Sequence, residues 1–275
     1  MYGLDGKVAF ITGAARGQGR AHAELLASAG VDIIGIDICA QLETVAYPMS
    51  TAADLGDTAA LVEKQGRRMV ALQADVRNAA EVRSAVQHGV AEFGRLDIVL
   101  ANAGIMAHSL PPYANSEQAW KDSIDTMLTG VWNTLQATVP ALIAGQRGGA
   151  IVITSSAAGL RAQTTERSGG ADGYFAAKFG VVGLMKAYAG SLGEHNIRVN
   201  SLHPCGVKTP MVVNDFFPRW IDAHPKTATA LVNALPAEMI ETTDVSNAVL
   251  YLVSDAGRFV TGSTLTVDAG LTTVN

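Results

Sequence analysis

The sequence predicts an α/β fold with one parallel sheet of about seven strands and helices on both faces. Short apolar runs alternate with longer amphipathic segments along the whole chain, which is typical of parallel strands joined by helices. Hydrophobic residues make up 48% of the chain and charged residues only 16%, as expected when both faces of a sheet are covered. The 275 residues contain no linker, internal repeat or low-complexity segment, so we expect a single domain over residues 1–275.

The first apolar run, residues 8–11, ends at a glycine-rich turn in the sequence KVAFITGAARGQG. Glycines lack side chains, so this backbone can turn tightly and let phosphate groups approach the amides that open the next helix, expected over residues 18–29. A strand, a turn of this kind and a helix together predict a dinucleotide site in a doubly wound (Rossmann) sheet. The turn residues expected at the ligand are Gly13, Arg16, Gly17, Gln18 and Gly19.

The second strand, residues 31–36, is followed by Asp37 and Ile38, where the ribose of a bound dinucleotide is expected. The carboxylate of Asp37 suits a ribose with free hydroxyl groups and repels a 2′-phosphate. Arg16 is the opposing observation, because a cation in the turn would also attract a 2′-phosphate. We give the strand-end carboxylate more weight, which favours NAD over NADP.

Net charge and cysteine content exclude several classes of function. The formal net charge is −5 and no Lys/Arg cluster is present, so neither nucleic acid nor an anionic membrane surface is an expected partner. Cys39 and Cys205 are too few for a disulfide framework, and the six scattered histidines suggest no metal site. No apolar stretch reaches the ~18 residues of a membrane span, and no secretory leader precedes the first strand, so we expect a cytoplasmic protein.

A long connection follows Asp37, over residues 38–58, before a short helix expected at 58–65. Connections of this type usually take only ~2 to 6 residues. Two interpretations fit its length and position: a surface insertion, or a cover over the adenosine half of the cofactor. The residues alone favour neither.

Two later strands, expected at 69–74 and 96–101, also end in residues suited to a ligand. Ligands of open parallel sheets gather at these carboxyl ends. Asp75 can accept a hydrogen bond from the adenine amino group or can cap its own loop, and both interpretations stay open. The strand-end residues concerned are Asp75, Val76, Asn102, Ala103 and Gly104.

A tyrosine and a lysine on one predicted helix, over residues 174–193, carry the expected chemistry. Tyr174 and Lys178 are spaced i, i+4, which puts the ammonium near the phenol. Moving a phenol from pKa ~10 to ~7 requires about 4 kcal/mol of differential stabilisation of its anion, which a lysine and an oxidised nicotinamide can supply. Ser156, after the fifth strand, can polarise the substrate oxygen.

The order of these motifs resembles the short-chain dehydrogenase/reductase family over nearly the whole chain. The matching motifs are TGAARGQG at 12–19, NAG at 102–104, SSAAG at 155–159 and YxxxK at 174–178. The resemblance implies that Ser156 positions the substrate oxygen and that Tyr174 exchanges the proton. It implies that Lys178 binds the nicotinamide ribose and lowers the pKa of Tyr174. The other implied cofactor contacts are Asp75, Val76, Asn102, Ala103 and Gly104, with Pro204, Val207 and Thr209 from the segment HPCGVKT.

The chain departs from the family pattern at two places. Met127 stands where the family has an asparagine that holds a proton-relay water, and a thioether cannot replace an amide in that role. The interval between Ser156 and Tyr174 is longer than usual, and the extra residues around 161–172 either shape the pocket or loop out.

The segment after Asp37, which includes DICAQ at 37–41, resembles the mycofactocin-coupled, carveol-dehydrogenase-like branch of this family. That resemblance implies that NAD is held under the insertion and scarcely exchanges during turnover. It also implies that electrons leave through an external redox carrier, mycofactocin, while the bound NAD is recycled.

A variable segment at about 209–235 is expected to form a lid over the substrate. Its apolar residues fit a greasy secondary alcohol or ketone, although an oligomer contact or packing on the core would also explain them. The two long helices, at about 115–144 and 174–193, indicate a dimer or tetramer, and we expect a homotetramer. The apolar lid residues are Met211, Val212, Val213, Phe216, Phe217 and Trp220.

Three functions compete at this stage. The favoured one is an NAD-dependent alcohol dehydrogenase or ketoreductase that moves a hydride between an apolar secondary alcohol and its ketone. A 3-oxoacyl reductase that uses NADPH is the neighbouring alternative. Because Met127 replaces the relay asparagine, a catalytically weak dinucleotide-binding module is the third.

Overall fold

A computed structural model describes residues 3–162 and 166–274 of the chain. Its centre is a parallel sheet of seven strands in the order β3-β2-β1-β4-β5-β6-β7, which confirms the predicted fold class. The strands are β1 Val8–Thr12, β2 Asp32–Asp37, β3 Met69–Gln73, β4 Ile98–Ala101, β5 Gly149–Thr154, β6 Ile197–Pro204 and β7 Thr264–Val267.

Helices cover both faces of this sheet. Because β1 and its neighbours are buried on both sides, each face contributes to its own apolar core. The helices are α1 Gly17–Ser28, α2 Ala52–Lys64, α3 Ala79–Phe93, α4 Ser116–Ile124, α5 Gly130–Gly145, α6 Gly169–Ser191, α7 Phe216–Ala223, α8 Pro225–Ala230 and α9 Thr242–Val253. The core with Ile11 and Val152 packs under α1 and α9, and the core with Phe10 and Ile151 packs under α3, α5 and α6.

The strand order reverses between β1 and β4, which lie side by side although β2 and β3 separate them in sequence. Connections then leave the two strands in opposite directions and open a crevice at their carboxyl ends. The Thr12 hydroxyl closes the base of this crevice, because its oxygen accepts hydrogen bonds from the amides of Asn102 (2.9 Å) and Ala103 (3.0 Å).

Helix boundaries differ from the sequence prediction at three places. Helix α2 begins at Ala52, six residues before the expected start, because Thr51 and Asp54 form a capping box. The long helix expected at 115–144 is interrupted by a π-helical turn at Asp125–Thr129. Helix α6 begins at Gly169 instead of Tyr174, because the Ser168 hydroxyl accepts a hydrogen bond from the Ala171 amide.

The connection between β2 and α2 therefore runs over residues 38–51 and is shorter than the expected 38–58. Of the extra residues predicted around 161–172, residues 163–165 lie outside the described part of the chain. Within the described residues, we find no helix whose length and hydropathy would let it cross a bilayer.

Candidate active site

A cavity of about 310 Å³ lies at the carboxyl ends of the central strands. It brings together nearly every residue that the sequence predicts for the site. The predicted residues that line it are Gly13, Arg16, Gly17, Gln18, Asp37, Ile38, Asp75, Val76, Asn102, Ala103, Gly104, Ser156, Tyr174, Lys178, Pro204, Val207 and Thr209. Gly19 is buried below the turn and does not line the cavity, because its Cα packs against the Gly13 carbonyl, where a Cβ would clash.

The glycine turn has the geometry that an anion site requires. Gly13 (φ +69°) and Gly17 (φ +55°) occupy the left-handed region that favours glycine, and a Cβ at Gly17 would lie 3.2 Å from Thr209. Arg16, at the N-cap of α1, gives no side-chain cap, and the first turn of α1 contains no acidic residue. The amides at this helix start are therefore available to a pyrophosphate. Within residues 3–162 and 166–274, the buried Gln18 Oε1 near this helix start has no hydrogen-bond partner.

Asp37 is buried at the end of β2 and is held by the residues around it. Its carboxylate accepts hydrogen bonds from the Ala15 amide (3.0 Å), the Ser50 hydroxyl (2.5 Å) and the Cys39 amide (3.3 Å). Sequence reasoning missed Ser50, which lies in the 38–51 connection and also lines the cavity. The chain thus holds a carboxylate at the expected ribose position and fixes its orientation from two sides.

The 38–51 connection contributes Leu42, Tyr47, Met49 and Ser50 to the wall of the cavity. The Arg16 guanidinium donates a hydrogen bond to the Pro48 carbonyl (2.6 Å) and lies 5.7 Å from the centre of the Tyr47 ring. The buried Tyr47 hydroxyl accepts a hydrogen bond from the Met106 amide at 3.1 Å. Arg16 follows β1 and Met106 follows β4, so the connection contacts both sides of the crevice between these two strands.

Asp75 and its neighbours form the far wall of the cavity. The Asp75 carboxylate accepts hydrogen bonds from the Arg77 guanidinium, the shortest at 2.6 Å, and Arg77 also reaches Asp122 at 3.2 Å. Asn133 is buried and donates to the Val76 carbonyl at 2.9 Å, so it supports this wall and does not replace the missing relay asparagine. The Asp75 carboxylate also accepts a hydrogen bond from the Arg77 amide (2.9 Å), so Asp75 caps its own loop at the cavity edge, as one of the two interpretations expected.

Ser156, Tyr174 and Lys178 lie together in the wall of the cavity. Lys178 Nζ donates to the Thr154 carbonyl (2.9 Å) and lies 5.7 Å from the centre of the Tyr174 ring. Burial lowers the pKa of Lys178 to about 8. Burial also raises the pKa of Tyr174 above its usual value, with the Ser156 hydroxyl opposing the rise. Desolvation is thus the larger effect on the pKa of Tyr174 in the protein alone, and a lowering by Lys178 stays a prediction.

A buried histidine holds Ser156 in place, and sequence reasoning did not single it out. His203 Nδ1 donates to the Ser156 carbonyl (2.8 Å), and its Nε2 pairs with the Ser201 hydroxyl (2.8 Å). Burial lowers the pKa of His203, which favours the neutral ring. The Ser156 hydroxyl in turn accepts from the Ala158 amide (3.1 Å), so both ends of this residue are oriented.

Met127 is fully buried in the π-helical turn between α4 and α5. A Cβ atom built on Gly104 would lie 3.7 Å from Met127 Sδ and 3.8 Å from Lys178 Nζ, so both side chains lie next to this glycine. π-Helical turns recur at functional sites. A thioether, not an amide, therefore lies with Lys178 beside Gly104.

The expected lid residues divide into two groups. Met211, Val212, Phe217 and Trp220 line the cavity. The expectation is wrong for Val213, which is 58% exposed, and for Phe216, which is buried beside the cavity without lining it. Phe217 and Trp220 are spaced i, i+3 on α7, which brings their rings together with centroids 5.7 Å apart.

His108 also lines the cavity, and Glu166 lies buried behind it. Sequence reasoning missed both. His108 follows the NAG motif by only four residues, which was the available signal. Glu166 lies in the lengthened interval before α6, where no pattern distinguishes a buried carboxylate from a solvated one.

Comparisons with known proteins agree with this geometry. A family model described as "Enoyl-(Acyl carrier protein) reductase" matches residues 13–272. The (-)-trans-carveol dehydrogenase of Rhodococcus erythropolis is 45% identical over 290 aligned positions, covering 99% of each chain. The cyclohexanol dehydrogenase of Acinetobacter sp. is 34% identical, covering 98% of this chain and 96% of that protein.

The fold matches a crystal structure of carveol dehydrogenase from Mycobacterium avium in complex with NAD, with a TM-score of 0.91. The two chains are 46% identical and cover each other completely. The sheet order, the glycine turn and the Ser156, Tyr174 and Lys178 group thus occur in a chain whose full length aligns with dehydrogenases. The chain belongs to the short-chain dehydrogenase/reductase family.

Proposed function

We propose that this protein is an NAD-dependent dehydrogenase that interconverts an apolar, cyclic secondary alcohol and its ketone. The observation that carries the proposal is that Ser156, Tyr174 and Lys178 line the same cavity as the glycine turn. The relatives named for carveol and cyclohexanol support the substrate class, because both compounds are secondary alcohols on six-membered rings.

The residues present fit NAD. The open amides at the start of α1 suit the pyrophosphate, and the Asp37 carboxylate suits the hydroxyl groups of a ribose. Arg16 keeps its charge, but one of its N–H groups is bound to the Pro48 carbonyl, so the guanidinium is oriented by the connection and the buried Asp37 carboxylate carries the preference for NAD. Bound NAD supplies the hydride acceptor for alcohol oxidation.

Tyr174 is the proposed acid/base and takes the proton of the alcohol. Ser156, fixed through His203, holds the substrate oxygen beside the phenol. Because burial raises the pKa of Tyr174, ionisation of the phenol needs positive charge nearby. Lys178 has a pKa of about 8 and is mostly protonated at neutral pH, so it supplies part of that charge.

We propose further that NAD is retained during turnover and that mycofactocin, an external redox carrier, reoxidises it in place. Retention is supported by the contacts of the 38–51 connection, which reach Arg16, Asp37 and Met106. These contacts join both sides of the crevice, so release of a dinucleotide would require them to break.

We also propose a homotetramer in the cytoplasm. Trp132 on α5 and Phe179 on α6 are 47% and 43% exposed, and large exposed apolar side chains on neighbouring helices favour a subunit interface. Cys39 and Cys205 are both free thiols, which suits a reducing compartment.

The proposal is tested by mixing the protein with cyclohexanol and either NAD or NADP and following reduced-nicotinamide absorbance in one turnover. We expect reduction of NAD and little reduction of NADP. Strong activity with NADPH on a 3-oxoacyl thioester would support the acyl reductase instead. NAD binding without any reduction, tested over several cyclic alcohols, would support the binding module.

A further inference from the structure

His108 and Glu166 form a buried pair at the substrate end of the cavity. His108 Nδ1 lies 2.8 Å from Glu166 Oε2, and both side chains are almost completely buried. The His108 ring lies 5.7 Å from the Tyr174 ring and 4.9 Å from the Trp220 ring, measured between centroids. The pair therefore lies beside the proposed acid/base, among residues that line the cavity.

Glu166 is surrounded by donors. Its carboxylate accepts hydrogen bonds from the Ser109 amide (3.0 Å), the Trp220 indole (2.7 Å) and the Ser168 hydroxyl, besides His108. Burial alone would raise its pKa, but these hydrogen bonds and His108 outweigh burial and lower the pKa to about 2. Glu166 therefore stays ionised and orients its neighbours.

An ionised Glu166 determines how His108 presents its ring. A carboxylate only accepts hydrogen bonds, so His108 Nδ1 carries a proton and donates it. Within residues 3–162 and 166–274, Nε2 has no hydrogen-bond partner, and this nitrogen is not completely buried. The ring thus keeps one nitrogen for a ligand while the carboxylate fixes the other.

We propose that His108 Nε2 binds a second hydroxyl group of the substrate. The preferred substrate is then a cyclic diol, of which only one carbinol is oxidised to the ketone. This inference rests on the proposed dehydrogenase function and names its substrate more closely. A hydroxyl can donate to the neutral imidazole and accept from the protonated one, so it pairs with His108 in either state. The remaining wall, with Met211, Phe217 and Trp220, contacts the hydrocarbon ring.

The test measures binding without turnover. Protein loaded with NADH is titrated with cyclohexanol and with each regioisomer of cyclohexanediol, and nicotinamide fluorescence reports the dissociation constant. We expect at least one diol to bind about tenfold more tightly than cyclohexanol, the size of one net hydrogen bond. His108→Leu should abolish this preference, His108→Gln should restore part of it, and the exposed-site control His88→Leu should keep it.

Three results would overturn the inference. In the first, the wild-type protein binds every diol no more tightly than cyclohexanol. In the second, His108→Leu or His108→Gln weakens the binding of cyclohexanol and of the diol equally. The third is diol binding that does not compete with cyclohexanol, which would place the diol in the neighbouring cleft lined by Ser109 and Arg219. NADH accepts no hydride from an alcohol, so this titration measures binding alone. A His108-dependent preference for the diol, together with no oxidation of any alcohol by NAD in the turnover assay, would contradict the dehydrogenase function and leave this inference standing.

Discussion

The guanidinium of Arg16 donates a 2.6 Å hydrogen bond to the carbonyl oxygen of Pro48 and thereby ties the glycine turn to the connection above it. The same guanidinium lies 5.7 Å from the centre of the Tyr47 ring, whose hydroxyl is bound to the next loop at Met106. Arg16, which in the sequence favours binding of a 2′-phosphate, thus contacts Pro48 and Tyr47 of the chain itself. The relationship makes retention of the dinucleotide testable.

Replacing Arg16 should loosen the cover. Arg16→Met keeps an apolar stem but removes the hydrogen bond to Pro48, so we expect NAD to be lost during dialysis about tenfold faster, the effect of roughly one charged hydrogen bond. Native mass spectrometry of the dialysed protein measures the fraction that retains NAD. Arg83→Met, at an exposed position on α3, is the matched control. Equal retention in Arg16→Met and wild type would show that the connection does not hold the cofactor.

Asp37 should set the choice between NAD and NADP. Asp37→Ala removes the carboxylate that repels a 2′-phosphate, and we expect the ratio of kcat/KM for NAD to that for NADP to fall at least about tenfold. Asp57→Ala, on the exposed side of α2, should leave the ratio unchanged. A ratio in Asp37→Ala that matches wild type would remove this carboxylate from cofactor recognition.

The protein should lose stability in acid because of His22. This histidine on α1 is buried against the Ser246 hydroxyl (2.7 Å), and burial lowers its pKa from 6.5 to about 3. Below about pH 6.5, His22 therefore binds a proton in the unfolded chain but stays neutral in the folded chain, so the free energy of unfolding falls as the pH falls. Between pH 6.5 and 5 this site alone should cost about 2 kcal/mol.

Urea unfolding at both pH values checks this expectation. His22→Gln should show a smaller acid-induced loss of unfolding free energy by about that amount, because glutamine does not titrate. His88→Gln, at an exposed position on α3, should follow wild type. Identical pH dependence in His22→Gln and wild type would contradict the assignment.

Most of the fold was predictable because the determinants are local. The apolar run of β1 is buried on both faces, and Gly13 and Gly17 adopt positive φ angles where the turn was expected. The order of glycine turn, NAG motif, serine and tyrosine–lysine pair then indicated the family, and the relatives confirm it. Crystal structures with NAD among these relatives agree with the expected cofactor.

What the sequence did not reveal depends on long-range contacts. Thr51 caps α2 earlier than the apolar pattern suggested, which shortened the connection. Glu166 meets His108 across 58 positions of chain, and no local pattern indicates such a pair. The direction of the pKa shift of Tyr174 also could not be deduced from its spacing to Lys178, because burial of the phenol raises the pKa and depends on the tertiary fold.

Single-turnover oxidation of a cyclic alcohol by NAD-loaded protein measures whether the Tyr174 hydroxyl exchanges the alcohol proton. Tyr188→Phe is the matched control, because Tyr188 lies on the same helix and bonds Gln136 at 2.6 Å. We predict that Tyr174→Phe retains bound NAD but reduces it at least about a hundredfold more slowly, while the control matches wild type. Reduction by Tyr174→Phe at the wild-type rate would contradict the account.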